Sequence, residues 1–156
     1  MQLYSLDVDD YSDDNYYLIG IHSVLEDYRL AFLLNKYFKY NFRKATYNLD
    51  VKNKNFNSFY SIFEYTNKEL ALDWFLISNS YKAVAKSTNS GLFNESEIIT
   101  HLLPEKKKID YFLKIEGDVD SEYIDKSIKK INTISQVLTS YEIQTNTLKS
   151  KNFLIF

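Results

Sequence analysis

Cysteine is absent from the 156 residues, proline occurs once and glycine three times. Without a thiol the chain forms no disulfide, zinc–thiolate site or iron–sulfur cluster, and it has no cysteine nucleophile. So little proline and glycine leaves no material for long linkers and predicts a chain that folds throughout. Apolar runs are short, none approaching the ~18 residues of a membrane span. The opening MQLYSLDVDDYSDDN lacks the basic start and apolar centre of a secretory signal, so a cytoplasmic protein is expected. A net charge of −2 supplies no global field toward a phosphate backbone or an anionic leaflet, so neither nucleic acid nor membrane is the expected partner. Only His22 and His101 represent histidine, at no metal-ligand spacing, and neither a metal nor a cofactor is expected.

With 45% apolar and 26% charged residues, the chain reads as one globular domain over residues 1–156, its acidic residues 1–15 a frayed leader. Tyr, Phe, Ile, Lys and Asn share AT-rich codons, which accounts for the 17% aromatic content without an aromatic binding surface. A β-rich run, YYLIGI (16–21), leads into a helix predicted at 24–38, with Ser23 and Glu26 at capping-box spacing. Apolar residues surround nearly the whole circumference of that helix, which predicts burial on more than one side. Three antiparallel strands are expected over 42–51, 56–65 and 70–86, followed by a loop at 87–97 pivoting on Gly91.

The last third reads as strand 109–115, turn, helix 120–134 and strand 136–145. Ile124, Ile128 and Ile131 mark that helix's inner face, with acids near its N-terminus. This order predicts an α+β two-layer sandwich: a mainly antiparallel sheet with two main helices on one face. Its ferredoxin-like element order is an analogy only.

The densest pattern is LLPEKKKIDYFLKI, residues 102–115. Alternation sends Ile109, Tyr111, Leu113 and Ile115 to one face, which points Tyr111 into the core. Pro104 disfavours a helical Leu103 and cannot donate to a ladder, so it marks a fixed bend, with Lys106, Lys107 and Lys108 as a solvated tip. Leu103-Pro104-Glu105, three residues, then Ile109-Asp110-Tyr111 resembles the signature of the IPExxxVDY family of Bacteroidetes-type bacteria. Leu and Ile stand for the family's first Ile and its Val. The likeness extends to LIGIHSVLEDYRLAFLLNKYF, residues 18–38. It implies no activity, cofactor or catalytic set for Glu105, Asp110 or Tyr111.

His22, Glu26, Asp27 and Arg29 cluster where the first strand meets the helix. Only Arg29 and Arg43 among the 19 basic residues are arginine, which suits a bidentate fork. The expectation is a partly buried network in which one of them pairs with Glu26, Asp27, Glu105 or Asp110. A pocket around His22, Glu26, Arg29 and Tyr111, with His22 as the ligand-contacting residue, would serve a small-molecule-binding domain or an acid–base enzyme. The sequence carries no phosphate loop, dinucleotide fingerprint or nucleophile elbow, and DVDDYSDD lacks the glycine and final glutamate of a calcium loop. The apolar end, Phe153, Leu154, Ile155 and Phe156, either folds back as a short edge strand or meets another chain. With no catalytic set visible, the leading expectation is a non-catalytic interaction or adaptor module with an unknown protein partner or a second copy of itself. RNA association through Lys106–Lys108 and Lys126–Lys130 is a further alternative.

Overall fold

The computed structural model describes residues 16–54, 56–86 and 95–156, so the expected leader at 1–15 and the Gly91 pivot lie outside the described residues. The strands are β1 (Tyr16–Ser23), β2 (Arg43–Lys44), β3 (Leu49–Lys52), β4 (Asn57–Tyr60), β5 (Ile62–Asn67), β6 (Leu72–Ser78), β7 (Ser80–Lys86), β8 (Glu95–His101), β9 (Tyr111–Glu116) and β10 (Val137–Ile143). Two helices, α1 (Asp27–Phe38) and α2 (Ser121–Ile131), complete the main elements. The fold is the predicted α+β: a six-stranded sheet in the order β10-β1-β9-β6-β5-β2, antiparallel at each pairing, with β3–β4 and β7–β8 as separate two-stranded ribbons.

Strand alternation builds a core on each face. Ile19, Ile21, Tyr111, Leu113 and Ile115 project to the side where Leu30 and Leu34 of α1 and Ile124 and Ile131 of α2 pack, with Trp74 among them. Leu18, Ile62, Ile77 and Phe112 project to the other side, against Leu103, Ile109 and Leu154. All of β9 but its last residue is therefore buried, as in a sheet covered on both faces. Gly20 makes room for this second layer: a Cβ there would meet the side chains of Ile109 and Ile143 at 3.0 Å. Gly117, at φ +132°, turns the chain out of β9 where only glycine is comfortable.

Several boundaries differ from expectation for identifiable reasons. The predicted strand 70–86 breaks at Asn79, whose backbone turns away from the sheet to pair with Asp110 and Leu102. The run 56–65 breaks at Ser61, and 42–51 divides between two sheets. β8 occupies part of the expected loop, beginning at Glu95.

The Ser23–Glu26 capping box does not form, and α1 starts later than predicted. Ser23 stays in β1, its hydroxyl donating to the Gln136 carbonyl and accepting from the Leu25 N–H. Glu26 occupies the cap position without a side-chain bond. α1 is buried on one side only, through Leu30, Ala31 and Leu34, while Tyr28 and Phe32 face outward. By contrast Asp120 caps α2 as its acidity suggests, accepting from the Tyr123 N–H at 2.9 Å.

Candidate functional site

Leu103, Ile109 and Asp110 of the motif, with Leu102 and Lys106, converge on one residue that the sequence did not single out, Asn79. Its N–H donates to the Asp110 carbonyl (3.0 Å) and its carbonyl accepts from Leu102 N–H (2.8 Å). Its side-chain oxygen accepts from Leu103 N–H (2.9 Å), and its amide nitrogen donates to the carbonyls of Lys106 (2.9 Å) and Ile109 (2.8 Å). Asn79 is fully buried, so each bond replaces water that cannot reach it. Pro104 opens the short 3-10 turn Pro104–Lys106 that this amide holds, a position where its missing N–H costs nothing.

The motif's polar side chains tie down two further segments. Asp110 accepts from the Ser23 N–H at 2.9 Å, and the Tyr111 hydroxyl donates to the Leu25 carbonyl, so together they fix the turn from β1 to α1. Burial, then the nearby Asp27, Asp110 and Glu26, raises the Tyr111 pKa and keeps that donor protonated. Glu105 accepts from Lys149 N–H (3.0 Å), Ser150 N–H (2.7 Å) and the Ser150 hydroxyl (3.1 Å). Burial alone would raise its pKa. The backbone bonds within residue 105 and from Ser150, with those of the Ser150 hydroxyl and Lys149, outweigh it and hold the carboxyl below its ordinary value.

The clamped tail does not become an edge strand. Residues Lys151–Leu154 form a 3-10 turn that lays Leu154 into the second core. Its carbonyl accepts from Lys114 Nζ, an ammonium whose residue is only 2% exposed. Glu116 pairs with that ammonium, and the rings of Phe156, Tyr16 and Phe75 lie 4.4, 4.9 and 5.6 Å from it. A buried cation needs such partners, and the tail supplies two of them. Phe156 also meets Phe75 edge-on at 5.1 Å, leaving Ile155 and part of Phe153 outward.

The predicted arginine network is absent: among the described residues neither guanidinium pairs with a carboxylate. Arg29 is exposed, 5.9 Å from the centre of the Tyr28 ring. Arg43 donates through two nitrogens, at 3.2 and 3.1 Å, to the Asn41 amide oxygen when that amide faces it. Three of the four acids, Asp27, Glu105 and Asp110, have other partners. Asp27 accepts from the Ser61 hydroxyl (2.6 Å), which also meets that of Ser78 (2.8 Å).

The expected four-residue pocket is also not assembled. Glu26 and Tyr111 line a cleft of about 420 Å³ with Ser23, Asp27, Lys82 and Asp110, but His22 and Arg29 do not. His22 bonds instead to the Tyr141 hydroxyl at 2.9 Å. Arg29 lines a groove of about 560 Å³ on the outer face of α1, with Leu25, Tyr28, Phe32, Leu33 and Gln136. Phe32, in that groove, is 66% exposed, while Val24, 90% exposed, precedes the helix and lines the cleft with Glu26 and Tyr111. Among the described residues no three His, Asp or Glu side chains gather to hold a metal ion, and no helix is long and apolar enough to cross a membrane. No family model matches the chain, and no curated protein or solved structure does so.

Proposed function

We propose that the protein is a non-catalytic, cytoplasmic interaction module whose partner surface is the outer face of α1. The carrying observation is the exposed pair Tyr28 and Phe32, one helical turn apart, which line the groove together with Leu25 and Leu33. Isolated exposed apolar side chains are ordinary, but a series lining a groove is the form of a partner site. In this reading the likeness to the IPExxxVDY family marks a shared scaffold, because Glu105, Asp110 and Tyr111 are committed to holding segments of the chain together. Two lysines that an RNA reading requires have partners within the chain's own surface: Lys126 pairs with Glu122 at 3.0 Å, both exposed, and Lys130 lies over Phe38.

The test is recovery of tagged protein from its native cells, with reconstitution of any recovered partner from purified components. A partner that binds wild type and not the Tyr28→Lys/Phe32→Asp variant supports the proposal; equal binding to both sinks it. Self-association lost with the same variant identifies a second copy as the partner.

A further inference from the structure

Away from α1, the ribbon β3–β4, the end of β8 and the Pro104 turn enclose a cleft of about 380 Å³. Val51, Phe56, Ile99, Leu102 and Phe153 give it apolar walls. Tyr60 and Thr100 add hydroxyls to its lining: Tyr60 donates to Thr100 at 3.1 Å, and Thr100 is held from outside the lining by the Ser58 hydroxyl at 2.8 Å. Ser58 and Tyr60 are buried, so the hydroxyl pair behind Thr100 is part of the packed structure. Lys107 and His101 also line it, and among the described residues no carboxylate side chain does.

We infer that this cleft binds a small amphipathic anion, an aryl or short acyl body lying against the apolar walls with its carboxylate or sulfonate toward Lys107. A mainly apolar cavity with few polar groups at one end is the usual form of a small-ligand site, and a lysine without a competing acid selects for negative charge. The motif shapes it. Asn79 holds Leu102, and Glu105 clamps residues 149–150 just before Phe153, so the elements that lock the fold also set two of the walls. The site is separate from the α1 face and does not depend on it.

The test is a titration of the full chain with 8-anilinonaphthalene-1-sulfonate, followed by fluorescence and calorimetry, with decanoate as competitor. The expected result is one saturable site, displaced by decanoate and weakened about tenfold by Lys107→Glu, the effect of losing one charge-assisted contact. Ile99→Glu, which places a carboxylate on an exposed wall position, weakens it as well. Phe32→Asp leaves it unchanged. Absence of saturable binding overturns the inference, as does equal binding by Lys107→Glu with an unchanged thermal midpoint. Loss with Phe32→Asp also overturns it, placing the dye on α1.

Discussion

Asn79 has no exposed surface, and each of its polar atoms is bonded to the segment from Leu102 to Asp110. Asn79→Ala strands the Leu103 N–H and the Ile109 carbonyl and leaves the Lys106 carbonyl with only the Ile109 N–H. At ~1–3 kcal/mol for an unsatisfied buried group, the expected loss is about 3 kcal/mol or more, read from urea unfolding. Tyr111→Phe removes one bond, to the Leu25 carbonyl, and should cost about 1 kcal/mol in the same assay. A loss for Asn79→Ala no larger than that for Tyr111→Phe contradicts the hub role.

Glu105 gives a pH signature. Its folded pKa lies below the ordinary 4.5, so its contribution is fully present above that value and fades as pH falls through the folded pKa. Hydrogen exchange in residues 149–156 should accelerate, relative to the intrinsic rate, as acid protonates Glu105. Glu105→Gln should show the acceleration at neutral pH. The inward course of Tyr111 was legible from alternation, but alternation misplaced Ile109, which precedes β9 and packs in the opposite core. Asn79 was not legible, because β-formers on both sides of Ser78-Asn79-Ser80 mask the break there and its side-chain partners lie 24 to 30 residues away.

Among the elements, the C-terminal turn and α1 carry the sharpest contrasts. Leu154 is wholly buried, and Leu154→Ala should cost about 2–4 kcal/mol, seen as a lower thermal midpoint. Deleting residues 151–156 should cost more, since Lys114 also loses the Leu154 carbonyl and the Phe156 ring. Phe32→Asp, at an outward position, should change stability by no more than about 0.5 kcal/mol. The amphipathic α2 and its acidic cap were legible because pattern and packing agree there. α1 was misread because its apolar residues occupy every side, and composition does not reveal which side the sheet takes. The tail's strand-like composition gave way to a 3-10 turn because Glu105 and Lys114, distant in sequence, fix its two ends.

For the whole molecule, the division of labour follows the two faces of the sheet. One face carries the helices and receives Tyr111, and the other carries Leu103 and Ile109 of the motif, the tail and their core. The sandwich class was legible in the order of strands and helices. The filling of the second face was not, because it depends on Asn79, Glu105 and Lys114 joining separate segments. The central claim is that the motif holds the scaffold while the outer face of α1 meets the partner. The most direct measurement is a calorimetric titration of the recovered partner, or of the chain against itself if it self-associates, with wild type, Tyr28→Lys/Phe32→Asp and Ile155→Asp. The account predicts that the α1 variant loses binding at an unchanged thermal midpoint, whereas the tail variant binds as wild type does. Full binding by the α1 variant, or loss confined to Ile155→Asp, would contradict it.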